Sequence, residues 1–149
     1  MNEHAFFWLR SPLATALISW FVAQLIKVII ILITDKKLDM SRFIGSGGMP
    51  SSHSAIVCSL TTAIGLTNGF SSAIFALSTV TSLIVMYDAA GVRRAAGQQA
   101  KILNKIIADW EKEDYTKTGE KLKELLGHSP KEVSAGALLG ILIGIIRHI

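Results

Sequence analysis

The stretch Leu13–Ile33, LATALISWFVAQLIKVIIILI, decides the fold class: in 21 residues only Gln24 and Lys27 are strongly polar. A helix needs about 20 mostly apolar residues to cross the hydrocarbon core of a bilayer. A second run of that length, Phe70–Ala90, is charged only at Asp88. Two further apolar runs, Ser54–Gly69 and Val133–Ile146, are shorter. At helical rise they reach about 24 and 21 Å, and both read as spans because they accompany the two long ones. Their first turns are expected at Pro50 and Pro130, since proline suits a helix start. The first run is too long for a signal peptide and lacks a clear small-residue cleavage site.

The rest of the composition agrees. Of 149 residues, 50% are hydrophobic and only 17% charged, so an ordinary soluble domain is excluded. The length suits one domain covering 1–149. The predicted fold is therefore all-α: an integral membrane bundle of about four transmembrane helices plus an amphipathic helix at the cytoplasmic interface. That last helix is read over Ala96–Trp110, where Ile102, Leu103, Ile106, Ile107 and Trp110 recur at helical spacing among Lys101, Asn104, Lys105 and Asp109. Its apolar face suits either the membrane interface or the bundle. Glu111–Glu124 reads as a solvated segment, and Lys121–Leu126 as a short helix leading to His128. Cys58, the single cysteine, has no disulfide partner and reads as a packing residue. Gly65, Ser59, Thr61 and Thr62 read as helix-contact residues.

Charge orients the bundle. With four spans, segments 34–50 and 92–131 share one side and hold twelve of the fifteen Lys and Arg. Cationic loops stay in the cytoplasm, so that face is predicted to be cytoplasmic, in a multi-pass protein of the cell membrane. Topology accounts for the basic balance, and no nucleic-acid partner is implied. The chain shows no internal repeat, nucleotide-binding glycine loop or metal-ligand cluster, and no cofactor is expected.

The chemistry-bearing residues fall on that same face. Gly47-Gly48-Met49-Pro50-Ser51-Ser52-His53-Ser54-Ala55 and Gly127-His128-Ser129-Pro130-Lys131-Glu132 each set a histidine among Gly, Pro and Ser just before an apolar run. Imidazoles and backbone N–H groups are thereby presented at two helix N-termini, which favour anions. Asp88-Ala89-Ala90-Gly91-Val92-Arg93-Arg94 adds two guanidiniums. Together these are the parts of a phosphate-handling site. Each part also has a plain structural reading. Ser129-x-x-Glu132 is a capping box, Ser51 and Ser52 suit a helix cap, and Arg93 and Arg94 suit topology anchors. Asp88 suits an ion pair with one of the arginines or a supporting acid. His4 and His148 are terminal and read as inert.

Pro50-Ser51-Ser52-His53 resembles the P-S-G-H motif of the phosphatidic-acid-phosphatase type 2 and vanadium haloperoxidase superfamily, and His128-x3-Glu132 resembles the H-x3-D end of its third motif. The chain as a whole looks like the short, divergent branch of that superfamily. The resemblance implies a lipid phosphate phosphatase acting through a phosphohistidine, without a metal. Carried over by motif, His128 is the nucleophile, Glu132 its orienting acid and His53 the general acid. Arg93, Arg94, Lys27, Ser51 and Ser52 are the phosphate-binding candidates. The family's Ser-Arg ahead of its third-motif histidine is replaced here by Lys121 and Leu122, so the arginine must come from Arg93 or Arg94. Its first motif, K-x6-R-P, is also absent, which leaves Lys27 or Arg42 as the stand-in. The implied partner is a phospholipid or lipid-phosphate substrate, of the phosphatidate or phosphatidylglycerol phosphate class, and a homo-oligomer is open. The alternative is a non-catalytic lipid-phosphate-binding or transport-associated protein that retains the anion site.

Overall fold

The computed structural model describes residues 11–35, 48–114, 122 and 127–149. Among them are five helices and no strand: α1 (Pro12–Asp35), α2 (Ser52–Asn68), α3 (Ala73–Ala90), α4 (Val92–Asp114) and α5 (Pro130–His148). Stretches within Pro12–Thr34 and Ala73–Trp110 are long and apolar enough to cross a membrane. The 17 residues of α2 and 19 of α5 rise about 26 and 28 Å. Arg42 and His4 lie outside the described residues, as does nearly all of the helix expected over 121–126.

Local chemistry sets the helix ends. Ser51 caps α2, its Oγ accepting from the Ser54 amide at 3.4 Å. Helix α2 thus starts at Ser52, not at Pro50 as the proline had suggested. Pro50 precedes a cap that is fixed at its own amide, where Ser51 N–H donates to Glu132 O at 3.0 Å. Ser72 caps α3 in the same way, so the apolar run beginning at Phe70 spends its first three residues in a turn. Helix α5 does begin at proline, behind the capping box of Ser129 and Glu132. Helix α4 is longer than its apolar periodicity, because Ala95 N–H already donates to Gly91 O at 2.9 Å.

Helix α2 is the centre of the bundle and packs on α1, α3 and α5. Its partnership with α5 is parallel and very close. A Cβ on Gly136 would collide with the Ser51 carbonyl, one on Gly140 with the Ala55 carbonyl, and one on Gly144 would lie 2.7 Å from Thr62 Cβ. Three glycines four residues apart thus bring the α5 backbone onto the backbone of α2. Such contact is how helices gain dispersion energy where no hydrophobic effect drives them together. Helix α1 runs antiparallel to α2, with Ser19 Oγ donating to Ala55 O at 3.0 Å. Helix α3 meets α2 through Thr61 Oγ1 and Ser82 Oγ, 2.8 Å apart, and through Cys58 Sγ against Met86 Sδ at 3.7 Å. Gly65 receives the rings of Phe70 and Phe75. The four helix-contact residues read from the sequence, and Cys58, all pack as expected.

The terminal histidine differs from its reading. At the far end of the bundle His148 Nε2 lies 2.9 Å from Thr15 Oγ1, to which Arg147 Nε donates at 3.2 Å. Because α5 ends beside the first turn of α1, His148 ties two helices together and is not inert.

Substituting Gly140 by Ala forces α2 and α5 apart and is expected to cost about 1–3 kcal/mol, the usual range for overpacking. Leu138→Ala, on the exposed side of α5, should change little. Thermal unfolding in detergent, followed by circular dichroism, checks both.

Candidate active site

The site stands where the N-termini of α2 and α5 meet the C-terminus of α3. Their spacing is fixed by main-chain hydrogen bonds: Ser51 N–H to Glu132 O at 3.0 Å, and His128 N–H to Ala89 O at 2.9 Å. Gly127 has φ +88°, a conformation that side chains resist, and a Cβ there would strike the Arg93–Arg94 backbone. The histidine loop is therefore seated on the start of α4.

These contacts bring His53, in the first turn of α2, beside His128. Their ring centroids are 5.8 Å apart with the planes at 75°. His128 is only 2% exposed. Neither of its ring nitrogens has a hydrogen-bond partner, and neither does His53 Nδ1. A buried imidazole without partners is costly. Such groups are understandable where a ligand supplies the missing bonds.

Cations approach from two directions. Lys27, buried midway along α1, donates from Nζ to Ser52 Oγ at 3.1 Å. Arg93, from the first turn of α4, donates from Nε to Asp88 Oδ2 at 2.7 Å. Both charges bear on His128. Burial lowers the pKa of that imidazole below its ordinary value, and Lys27 lowers it further. Glu132 opposes them, while His53 and Arg93 add to the lowering. His128 is thus held neutral, the form in which imidazole can attack an electrophile.

The remaining candidates are placed as follows. Glu132 spends Oε2 on the Ser129 amide at 2.6 Å. Its influence on His128 is through charge, with no hydrogen bond between them. Ser51 caps α2, and Ser52 holds Lys27. Asp88 pairs with Arg93. Arg94 is exposed and absent from the charges acting on His128. Sequence reasoning placed Gly127 in the second histidine motif without giving it a role of its own, and it missed the stripe Gly136, Gly140 and Gly144. The four-residue spacing of the stripe was the available signal. Among the described residues no group of three His, Cys, Asp or Glu could hold a metal ion.

Residues 9–143 match the family described as the Divergent PAP2 family. The chain belongs to that family. It is also similar to the uncharacterized membrane protein YuiD of Bacillus subtilis, at 46% identity over 145 residues, 91% of this chain and 92% of the relative. No solved structure matches. The family match takes in α1 to α4, both histidine motifs and most of α5, and the chain is an all-α membrane protein of the PAP2-related group.

The charges around His128 make its titration a direct test of the arrangement. In the folded protein its midpoint should lie below the 6.5 of free imidazole. Lys27→Met should raise that midpoint by removing a positive neighbour, and Glu132→Gln should lower it further. Between the two midpoints the unfolded chain binds the additional proton, so acidification below about pH 6.5 should weaken the fold. Histidine-labelled NMR titration in detergent reads the first two effects, and denaturation across pH reads the third.

Proposed function

We propose that the protein hydrolyses a phosphate monoester carried on a lipid, through a phosphohistidine on His128. The observation that carries this reading is the pair of facing imidazoles, one of them buried with neither ring nitrogen hydrogen-bonded. An anion-binding site needs only cations, whereas attack and leaving-group protonation need two imidazoles in opposite roles. A His128 ring nitrogen bonds to phosphorus as the phosphorus–oxygen bond to the lipid breaks, and protonated His53 gives its proton to the departing alkoxide. Water then attacks the phosphohistidine and loses a proton to His53, and the nitrogen–phosphorus bond breaks to release phosphate.

Phosphoryl transfer depends mainly on positioning and on charge around the equatorial oxygens. Lys27 and Arg93 would supply that charge, and the amide groups at the N-termini of α2 and α5 would add to it. Arg93 would exchange its Asp88 partner for phosphate, and Ser52 would release Lys27 or share it. Glu132 would steady the imidazolium character that develops on His128. Lys27, on a long apolar helix, favours a substrate whose acyl chains remain in the bilayer. The excess of cations on this side supports a cytoplasmic site.

Purified protein in lipid–detergent micelles, assayed for phosphate release, tests the chemistry. Long-chain phosphatidate or phosphatidylglycerol phosphate should be cleaved with much higher kcat/KM than glycerol phosphate, and chelators should not inhibit. His128→Ala should reduce turnover by roughly three orders of magnitude or more, as loss of a covalent nucleophile does. His53→Ala should lose activity on lipid substrates but retain much of it on p-nitrophenyl phosphate, whose leaving group needs no proton. Wild-type rates in His128→Ala would overturn the mechanism. Tight lipid-phosphate binding without turnover would instead establish the non-catalytic alternative.

The side of the membrane is tested separately. With Cys58 replaced by Ser, a cysteine at exposed position 98 should resist a membrane-impermeant maleimide in intact cells and react after permeabilisation. Rapid labelling of intact cells would place the site outside.

A further inference from the structure

Helix α4 carries a surface that the bundle leaves uncovered. Among the helices it packs on α3 alone. One flank is occupied by the returning chain: Asn104 holds the Leu122 backbone with Nδ2–H to Leu122 O at 2.8 Å and Leu122 N–H to Oδ1 at 2.9 Å. Gly127 lies on the backbone of Arg93 and Arg94 at the start of the helix. Gly97 and Ala100 are buried accordingly. The other flank carries Ile102, Leu103, Ile106 and Trp110, exposed by 61, 48, 43 and 68%. Lys101 and Lys105 stand exposed beside them.

We infer that this flank docks on the anionic surface of the bilayer that α3 crosses. Continuity and charge name this occupant. Helix α4 starts one residue after α3 ends, and the Gly91 amide at the junction still donates to Tyr87 O at 2.8 Å. Its apolar flank therefore begins within a few turns of the membrane face. An apolar stripe bordered by lysines and ending in tryptophan has the make-up of a helix lying among headgroups. Anionic lipid attracts such lysines, by about 1 kcal/mol for each one near the surface. The consequence reaches the site, because Arg93 is in the first turn of the same helix. A bilayer that seats α4 also sets the position of Arg93 beside the two histidines.

The inference depends on α3 crossing a membrane and not on catalysis, so its test reads position and not turnover. Full-length protein with Cys58 replaced by Ser, spin-labelled at Ile106→Cys or at Lys101→Cys, is reconstituted in phosphatidylcholine vesicles with or without phosphatidylglycerol. Accessibility to oxygen relative to a water-soluble nickel chelate should be severalfold higher at 106 than at 101, and the difference should grow with phosphatidylglycerol. A doubly substituted chain carrying Ile102→Glu and Trp110→Glu should lose the difference while keeping its helical circular dichroism. Equal accessibility at 106 and 101 in both vesicle types would overturn the inference. So would spin–spin broadening at 106 that is lost on dilution with unlabelled protein, since a second copy would then be the occupant.

Discussion

The rest of the structure depends on the close approach of α2 and α5. Two helices can bring their backbones together only where one of them has no side chain, and α5 supplies that condition at Gly136, Gly140 and Gly144. The pair is parallel, so both N-termini emerge at one end. Two sets of unpaired amide groups, two positive dipole ends and two histidines then share one small volume. An antiparallel pair would have placed the histidines at opposite ends. The hydrogen bond from Ser51 N–H to Glu132 O fixes the register at the end where the two histidines meet.

That packing also accounts for the polar character of the central helix. Helix α2 carries Ser54, Ser59, Thr61 and Thr62 where a lone membrane span would carry leucine. The hydroxyls of Ser59, Thr61 and Thr62 donate to carbonyls on their own or a neighbouring helix, such as Thr62 Oγ1 to Cys58 O at 2.8 Å, and Ser54 Oγ donates to Ser51 Oγ. Small side chains shorten the helix-to-helix distance, and satisfied hydroxyls cost little in apolar surroundings. Long apolar residues face outward instead, as on α3, where Leu77, Leu83 and Ile84 are exposed as lipid-facing residues would be.

The sequence disclosed what depends on composition and local chemistry. Apolar run length marked α1 and α3, and Pro130 with the capping box of Ser129 and Glu132 marked the start of α5. Lys27 stood out because a cation within a span needs a partner, and Ser52 is that partner. Contacts between distant segments were harder to read. Proline alone could not show that Pro50 lies outside its helix while Pro130 lies inside, because the difference arises from the bond between Ser51 and Glu132. His148 looked like a free end because nothing local reveals that α5 finishes against Thr15. The glycine stripe was readable by its spacing, yet its partner helix was not.

The departures from the usual superfamily motifs also gain a physical explanation. A histidine and an arginine that act together need a fixed separation, and a short stretch of chain joining them is one way to fix it. Here the arginine preceding His128 in sequence is missing, and another constraint takes over. Gly127 presses on the Arg93–Arg94 backbone, and the His128 amide is bonded to Ala89. The loop and the junction between α3 and α4 are thereby held as one unit, although 33 residues separate Arg93 from Gly127. Gly127 has to be glycine on two counts, its positive φ and the missing Cβ. In the proposed mechanism the arginine of the DAAGVRR stretch takes the part of that missing neighbour, and the structure shows its guanidinium held by Asp88.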